Sequence, residues 1–341
     1  MSGAETRPVV VLMGGRSGER EVSLASGAAV MQALESAGRT DLLAVEVGCD
    51  GCWRWNGGER DPAGALASLP VDAVFFLALH GGEGEDGTLQ GLLRACGRTH
   101  TGSGVAASAL CMDKAAARAV LAQSGLAVAP GVLVSARAWR ESGPALLDHL
   151  LCLGADGWFV KPNGGGSSIG IRRVLDSAGL GAAVDAVLAE AGTALVEALV
   201  EGREASCPVL GNSGSRTRSL CPVEIVPREG SFFDYAEKYD ERCGAQEIVP
   251  PTGLSPDTCS RLREMAQRAH EATGCSGASR TDFIVPLEGP GAGEPVVLEV
   301  NTLPGLTPRS LLPKAAAVEG LGFDELCCEL LTLAVAREGQ Q

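Results

Sequence analysis

The 341-residue sequence predicts an α/β protein, with a doubly wound parallel sheet in its N-terminal part and an α+β arrangement in its C-terminal half. Two observations predict this fold class. In the first hundred residues, short apolar runs alternate with segments of helical periodicity, as in sheets covered by helices on both faces. In the second half, strands are separated by turn-rich hairpin loops, at residues 211–218 and 289–293.

The N-terminal part begins with a buried strand over residues 8–13 that enters a tight turn at Gly14-Gly15. The elements that follow are a helix, two strands and a helix, over residues 23–35, 41–47, 71–79 and 89–96. Ligands of doubly wound sheets bind at the carboxyl ends of the strands. Because residues 14–21 and 80–88 both lie at such ends, we expect a ligand site between them.

The rest of the chain follows a less regular order. Helices are predicted over residues 113–124, 145–153 and 176–190, and around 262–269 and 323–333, where apolar residues have helical spacing. Strands are predicted over residues 158–161, 193–197, 205–210, 219–226, 281–285 and 295–300.

Composition excludes several classes of protein. With 28 basic and 42 acidic residues the net charge is −14, so we expect no binding to nucleic acid or to an anionic membrane. No apolar run approaches the roughly 18–20 residues of a membrane span, and residues 1–7 do not resemble a secretory signal. The twelve cysteines, such as Cys152, Cys327 and Cys328, are expected to be buried, reduced thiols of a cytoplasmic protein. The single Cys49-x-x-Cys52 is insufficient to indicate a metal or redox site.

Lysine and tyrosine are rare in this sequence. Only four of the 28 basic residues are lysines, namely Lys114, Lys161, Lys238 and Lys314. A lysine among so many arginines indicates a place that needs a compact, flexible ammonium, although chance and coding bias explain any single one equally well.

A glycine-rich loop, Gly164–Gly170, follows Lys161 at the end of a predicted strand. Glycine allows backbone N–H groups to turn toward an anion, and the loop serines add donors. The loop is not a Walker A loop, because Lys161 precedes the glycines and a Walker A lysine follows them. It is not a dinucleotide-binding G-x-G-x-x-G fingerprint in its usual place either. We interpret the loop as a phosphate-binding lid, the alternative being a surface hairpin.

Oxygen-bearing side chains gather on two strands of the second half. Glu299 and Asn301 are two residues apart and face the same side of a strand. Together with Asp282 they offer the hard ligands that Mg²⁺ prefers, and their apolar flanks argue against a merely solvated face. Arg280 shares the face of Asp282, where it can stabilise an oxyanion.

The segment Thr302–Leu311 is a turn that leads into a predicted helix. Gly305 and Ser310 can donate hydrogen bonds to a carboxylate at the N-terminus of that helix. Simple capping of the helix explains Ser310 equally well.

Eight segments resemble, in order, those of the D-alanine–D-alanine ligase family of ATP-grasp enzymes: GGRSGEREVSLASG (14–27), ALHGGEGEDGTLQG (78–91), TGSGVAASALCMDK (101–114), VKPNGGGSSIG (160–170), VEALVEGRE (196–204), FFDYAEKY (232–239), SRTDF (279–283) and LEVNTLPGLTPRSLLP (298–313). The resemblance implies a substrate-binding, pre-ATP-grasp domain over residues 1–102. It also implies a two-lobed ATP-grasp domain, with a central lobe over 103–196 and a C-terminal lobe over 197–341.

The resemblance also implies a role for each matching position. The positions implied to contact the D-alanines are Glu19 (first ammonium), His80, Arg280 and Gly305 (tetrahedral oxyanion), and Ser310 and Leu311 (second carboxylate). Those implied to contact ATP are Lys114, Lys161 and Lys238 (phosphates), Glu197, Ala198 and Leu199 (adenine), and Glu204 (ribose). Asp282, Glu299 and Asn301 are implied to hold two Mg²⁺ or Mn²⁺ ions. Ser167 is implied to link Glu19 and Tyr239 in a closed lid.

The function implied is ATP-dependent ligation of two D-alanines through an acyl phosphate, for peptidoglycan precursor synthesis, by a cytoplasmic homodimer. One alternative is a relative that joins D-alanine to D-lactate or D-serine, although the Lys238-Tyr239 pair favours D-alanine as acceptor. A non-catalytic nucleotide-binding regulator and an NAD-dependent oxidoreductase are further alternatives. The sequence departs from the family pattern at Asn163–Gly165, which is glycine-rich, and at Ala205–Pro208, where a proline interrupts a predicted strand. Lys314 has no implied role.

Overall fold

The first region of the chain forms a six-stranded sheet, in the spatial order β4-β3-β2-β1-β5-β6. The computed structural model describes residues 7–154, 156–166, 170–227, 245–288 and 291–338. The strands of this sheet are β1 (Val9–Gly14), β2 (Leu42–Val47), β3 (Trp53–Trp55), β4 (Gly58–Arg60), β5 (Val74–Leu77) and β6 (Thr99–His100). The accompanying helices are α1 (Arg20–Ser36), α2 (Pro62–Ser68) and α3 (Thr88–Ala95).

The predicted parallel sheet is present, since β1 pairs parallel with β2 and β5, and β5 pairs parallel with β6. Its far edge is an antiparallel hairpin, β3–β4, that the periodicity did not predict because each strand has three residues. The turn Asn56-Gly57 has positive φ at both positions, of 49° and 75°. An Asn-Gly pair with this geometry is a strong hairpin signal, which could have identified the edge from sequence.

The second region is a four-stranded antiparallel sheet in the order β7-β10-β8-β9. Its strands are β7 (Gly131–Ser135), β8 (Trp158–Pro162), β9 (Arg172–Val174) and β10 (Thr193–Ala198). The helices of this region are α4 (Val105–Met112), α5 (Lys114–Gln123), α6 (Ala136–Leu151) and α7 (Ser177–Ala191). Helix α6 begins earlier than predicted because it consists of two helical pieces, joined at non-helical Ser142 just before Pro144.

The third region is an antiparallel sheet in the order β14-β13-β11-β15-β16, with β12 beside β11. Its strands are β11 (Arg203–Asn212), β12 (Thr217–Ser219), β13 (Val223–Val226), β14 (Gln246–Ile248), β15 (Ser276–Val285) and β16 (Val296–Asn301). The helices are α8 (Pro256–Ala272), α9 (Leu311–Val318) and α10 (Phe323–Glu338). Pro208 lies in β11, which is a central strand, at the point where the neighbour of β11 changes from β13 to β12.

One hydrophobic core joins the first and third regions. Leu326 and Leu330 of α10 belong to the same buried cluster as Leu34 of α1, Phe76 of β5 and Leu210 of β11. The C-terminal helix therefore fixes the N-terminal sheet against the C-terminal one, and the two together position the site described below. The division of the chain at residues 102 and 196 remains our proposal.

The cysteines differ in exposure, although each of those in the described ranges is a free thiol. Cys327 is buried, as expected, and Cys328 is partly buried. Cys49, Cys96 and Cys152 are exposed, which contradicts the expectation. Cys152 is exposed because it follows the last turn of α6 rather than lying within a core-facing run. Among the described helices, none is both long and apolar enough to span a membrane.

Two buried histidines give folding a dependence on pH. Burial, together with the nearby Arg337 charge, lowers the pKa of His100 to about 4. Burial also lowers the pKa of His270 to about 4, and its Nδ1 lies 2.7 Å from Ser279 Oγ. An unfolded histidine has a pKa of about 6.5, so the unfolded chain binds more protons below that pH.

We therefore predict that these histidines destabilise the fold as the pH falls from 7 to 5, by about 2 kcal/mol each. Urea unfolding at both pH values measures the loss. His100→Asn and His270→Asn should each make the free energy of unfolding less dependent on pH. A pH dependence that neither substitution reduces would contradict the assignment.

Candidate active site

A cleft of about 760 Å³ lies between the first region and the sheet of the third region. Both N-terminal segments predicted to form a ligand site contribute to it, through Glu19 and His80. The candidate residues that line this cleft are Glu19, His80, Lys114, Glu204, Arg280, Asp282, Glu299, Asn301, Gly305, Ser310 and Leu311. Residues that sequence reasoning gathered from separate segments therefore meet in one place.

The floor of the cleft is one face of three paired strands. Asp282 of β15 is the direct cross-strand partner of Glu299 on β16, and Arg280 is the partner of Asn301. Side chains two residues apart on a strand share a face, so all four point to the same side. On the other side of β15, β11 places Ser206 opposite Asp282. The pairing register is therefore what assembles this cluster.

Asp282 is buried and receives hydrogen bonds from two side chains. Arg280 donates from Nε to Oδ1 over 2.8 Å and from Nη2 to Oδ2 over 2.7 Å. Ser206 Oγ donates to Oδ1 over 2.5 Å. Bidentate arginine–carboxylate pairing of this kind is strong and orients both groups. Ser206 was not predicted from the sequence, although its place two residues after Glu204 on the same strand was a usable signal.

The donor set around Asp282 fits a divalent cation. Asp282, Glu299 and Asn301 supply carboxylate and amide oxygens, the ligands that hard cations prefer. The two carboxylates are accompanied by positive side chains, since Arg280 pairs with Asp282 and Lys114 Nζ lies 3.8 Å from Glu299 Oε2. Asn301 Oδ1 accepts the Leu303 N–H over 2.8 Å, which fixes the orientation of its amide.

Lys114 connects the start of the glycine-rich loop to α5. Its Nζ donates to the Gly165 carbonyl over 2.5 Å. The Asn163 side chain donates to Asp113 Oδ1 and accepts the Ala115 N–H, over 2.8 and 2.9 Å. The loop therefore begins from a fixed position beside the cleft. Three predicted site residues lie outside the described residues, namely Ser167, Lys238 and Tyr239.

Lys161, Glu197 and Ala198 are buried and Leu199 is partly buried, and none of the four lines the cleft described above. Lys161 Nζ lies 2.5 Å from Glu197 Oε2, and the same carboxylate also contacts Arg118. Burial lowers the pKa of Lys161 to about 7; the Lys114 and Arg118 charges also lower it, while Glu299 raises it.

Arg118 was not predicted from the sequence. It lies four residues after Lys114 on α5, on the same side of the helix, which was the available signal. The backbone next to Glu197 is already engaged, since Ala198 N–H donates to Pro130 O and Leu199 N–H donates to Gly157 O, over 2.8 and 2.9 Å.

Glu19 and His80 lie at the carboxyl ends of β1 and β5. A Cβ atom added to Gly81, whose φ is +67°, would lie 2.5 Å from Glu19 Oε2, so this close approach requires glycine. His80 is held on both ring nitrogens, with Nε2 3.0 Å from Ser26 Oγ and Nδ1 3.7 Å from Glu85 Oε1.

The loop before α9, residues 302–310, which we call the acceptor loop, brings Gly305 and Ser310 together at the N-terminus of α9. Ser310 Oγ lies 2.8 Å from Thr307 Oγ1 and accepts the Thr307 N–H over 3.2 Å. Ser310 is the N-cap residue of α9, as the capping interpretation expects, but among the described residues its hydroxyl makes no capping hydrogen bond to the helix. A Cβ on Gly305 would lie 2.8 Å from Ser310 Oγ, so a side chain at this position would displace that hydroxyl.

Asp50, Cys52 and Glu59 form a cluster away from the cleft that has the ligand types of a metal site. Arg54 pairs with both carboxylates of this cluster. Both carboxylates are therefore already engaged by one guanidinium, and the cluster adds nothing to the case for a metal at Cys49-x-x-Cys52.

Two family models match the chain, D-ala D-ala ligase N-terminus over residues 8–103 and D-ala D-ala ligase C-terminus over residues 120–332. The D-alanine–D-alanine ligase of Gluconobacter oxydans is 39% identical over 96% of this chain and 99% of its own length. The D-alanine–D-alanine ligase of Anaeromyxobacter sp. strain K is 41% identical over 95% of each chain.

Solved structures give the same result. The VanG D-Ala:D-Ser ligase from Enterococcus faecalis has a TM-score of 0.82 at 30% identity, over 96% of this chain and 99% of that one. The D-alanine-D-alanine ligase from Coxiella burnetii has a TM-score of 0.81 at 27% identity, over 99% and 96% of the two chains. The fold class and the resemblance predicted from the sequence are confirmed, and this chain belongs to the D-alanine–D-alanine ligase family.

Proposed function

We infer that this protein is a carbon–nitrogen ligase that uses ATP to join two D-alanines into D-alanyl-D-alanine, releasing ADP and phosphate, in peptidoglycan precursor synthesis. Relatives of about 40% identity over nearly the whole chain have this name. The observation that carries the inference is the cleft floor, where Arg280, Asp282, Glu299 and Asn301 face one another across β15 and β16. These are the groups that phosphoryl transfer and attack at a carboxyl carbon require.

The first step activates a carboxylate, which is a poor electrophile until it carries a leaving group. One carboxylate oxygen of the first D-alanine attacks the γ-phosphorus of ATP, the bond to the bridging oxygen of ADP breaks, and an acyl phosphate forms. We propose that Glu19 holds the ammonium of this D-alanine and that Lys114 and Lys161 position the phosphates. Such positioning and charge neutralisation account for most of the catalysis in phosphoryl transfer.

We propose that Asp282, Glu299 and Asn301 hold the two divalent cations of this reaction, which are Mg²⁺ or Mn²⁺ ions. When bound, such ions neutralise and align the phosphate oxygens. The contribution of the protein is to hold the ligands in place, through the β15–β16 register and through the hydrogen bond from Ser206 to Asp282.

The second step joins the two amino acids. The amine of the second D-alanine, once it has lost a proton from its ammonium form, attacks the acyl carbon, and phosphate leaves from the tetrahedral intermediate. We propose that Arg280 and the Gly305 N–H stabilise its oxyanion, and that Ser310 and the Leu311 N–H bind the second carboxylate. The N-terminus of α9 favours negative charge, which supports that last assignment.

The remaining assignments concern the nucleotide and the closed state. Glu204 lines the cleft, in keeping with a contact to ribose. Because the N–H groups of Ala198 and Leu199 already donate within the protein, we propose that adenine is recognised there through carbonyl oxygens and Glu197. The link of Ser167 to Glu19 and Tyr239, the phosphate contact of Lys238, the homodimer and the cytoplasmic location stay predictions.

Substitution of Arg280 tests the oxyanion assignment. We predict that Arg280→Met lowers kcat by roughly 100- to 1000-fold, the usual loss for one preorganised oxyanion donor. ADP release coupled to added D-alanine measures this rate. Arg218→Met, which removes an exposed arginine paired with Glu329, is the matched control and should leave the rate near that of the wild type. A near-normal rate of ligation by Arg280→Met would contradict the assignment of Arg280 to the oxyanion.

Substitution of Glu299 tests the metal site. We predict that Glu299→Gln weakens binding of Mn²⁺ by at least about tenfold, because it removes a charged ligand. Electron paramagnetic resonance of free Mn²⁺ measures the affinity directly, without turnover. Glu294→Gln removes an exposed carboxylate paired with Arg261 and should bind Mn²⁺ as the wild type does. Equal affinity in Glu299→Gln and the wild type would rule out this ligand set.

Product analysis separates the alternatives for acceptor and for activity. With D-alanine as donor, we predict D-alanyl-D-alanine as the main product when D-alanine, D-serine and D-lactate compete as acceptors. A dominant D-alanyl-D-serine product would instead group this protein with the VanG enzyme. ATP binding without any D-alanine-dependent ADP release would identify a non-catalytic regulator.

A further inference from the structure

Lys314 and Glu247 form an ion pair at the edge of the cleft that none of the roles above includes. Lys314 Nζ lies 2.5 Å from Glu247 Oε2, and both side chains are partly exposed, at 38% and 27%. Lys314 belongs to α9, and Glu247 belongs to the short strand β14. The contact therefore joins helix α9 to β14, the edge strand of the sheet in the third region.

The position of this pair relative to the acceptor loop follows from helix geometry. Lys314 lies four residues after Ser310, and its N–H donates to the Ser310 carbonyl over 3.1 Å. Residues four apart lie on the same side of a helix, about one turn from each other. Glu247 itself lines the cleft together with Ser310 and Leu311. A carboxylate of the protein thus borders the place where the proposed function puts the carboxylate of the second D-alanine.

Two carboxylates in the same partly enclosed cleft repel each other unless a cation neutralises one of them. Coulomb repulsion at separations of several ångströms is substantial where water is partly excluded. Lys314 supplies the neutralising charge, and its contact draws the Glu247 carboxylate toward α9. Because the Lys314–Glu247 pair is partly exposed, it contributes little to folding stability. Its main effect is to reduce the negative charge of the cleft.

We propose that Lys314 is a positioning residue for the acceptor: it fixes the Glu247 carboxylate beside α9 and neutralises its charge, so that this charge does not repel the carboxylate of the second D-alanine. The proposal rests on the proposed function, because it requires an anionic acceptor at Ser310 and Leu311. It accounts for the one lysine to which the family resemblance gives no role.

The test is a double-mutant cycle on the full-length enzyme, with Lys314→Met, Glu247→Gln and the double variant. Lys314→Met leaves Glu247 negatively charged and should raise the KM of the second D-alanine on the order of tenfold. At saturating D-alanine its kcat should stay within about twofold of the wild type, because no reacting group is removed. Glu247→Gln leaves the Lys314 charge unpaired and should therefore bind the acceptor at least as well as the wild type.

The double variant decides between charge neutralisation and other roles of Lys314. With Glu247 neutral, the proposal predicts that Lys314→Met no longer impairs the acceptor KM, so the double variant recovers to near the wild-type value. Arg261→Met, which removes an exposed arginine paired with Glu294, is the matched control for loss of a surface cation. Thermal unfolding of all variants should give the same midpoint.

Three results would overturn the proposal. An unchanged acceptor KM in Lys314→Met means that the pair does not influence the acceptor. A double variant as impaired as Lys314→Met means that Lys314 itself contacts the substrate or supports the fold. A wild-type enzyme that releases no ADP on addition of D-alanine removes the proposed function, a failure that is visible before any variant is made.

Discussion

The bidentate pair between Arg280 and Asp282 is the contact on which the rest of the cleft depends. A buried carboxylate is costly unless it is paired and hydrogen-bonded, and Asp282 receives donors from Arg280 and Ser206. Arg280 reaches Asp282 from the same strand, whereas Ser206 reaches it because β15 is held in register with β11. The register of β15 with β16 places Glu299 opposite Asp282. The core that packs α10 against both sheets then places Glu19 and His80, from the first region of the chain, in the same cleft as this cluster.

A chain of net charge −14 that binds the anion ATP needs local cations, and we propose that lysines supply them. Each lysine in the described ranges contacts a glutamate of another segment: Lys114 meets Glu299, Lys161 meets Glu197 and Lys314 meets Glu247. In the protein without ligands these carboxylates provide counter-charges for the lysines. We propose that the phosphates of ATP and the divalent cations compete for the first of these pairs, Lys114 and Glu299, which both line the cleft.

The sequence predicted what depends on local periodicity and on motif order. A period of two placed Glu299 beside Asn301 and Arg280 beside Asp282, and the structure confirms that these pairs share a face. It did not predict Ser206 or Arg118, because their contacts depend on which elements pack together. The kink of α6 at Ser142 and the three-residue strands β3 and β4 leave too short a pattern for periodicity to detect. The two interpretations of Ser310, substrate contact and helix cap, differ only in side-chain direction, which spacing does not fix.

Activation of a carboxylate as an acyl phosphate in this cleft can be tested most directly by following one carboxylate oxygen atom. D-alanine labelled with ¹⁸O in its carboxylate is ligated in unlabelled water, and the released inorganic phosphate is analysed by mass spectrometry. The mechanism predicts that phosphate carries one ¹⁸O per peptide bond formed, because the attacking carboxylate oxygen leaves with the phosphoryl group. Unlabelled phosphate accompanying labelled dipeptide would contradict the acyl phosphate and with it the roles given to Arg280 and the acidic cluster.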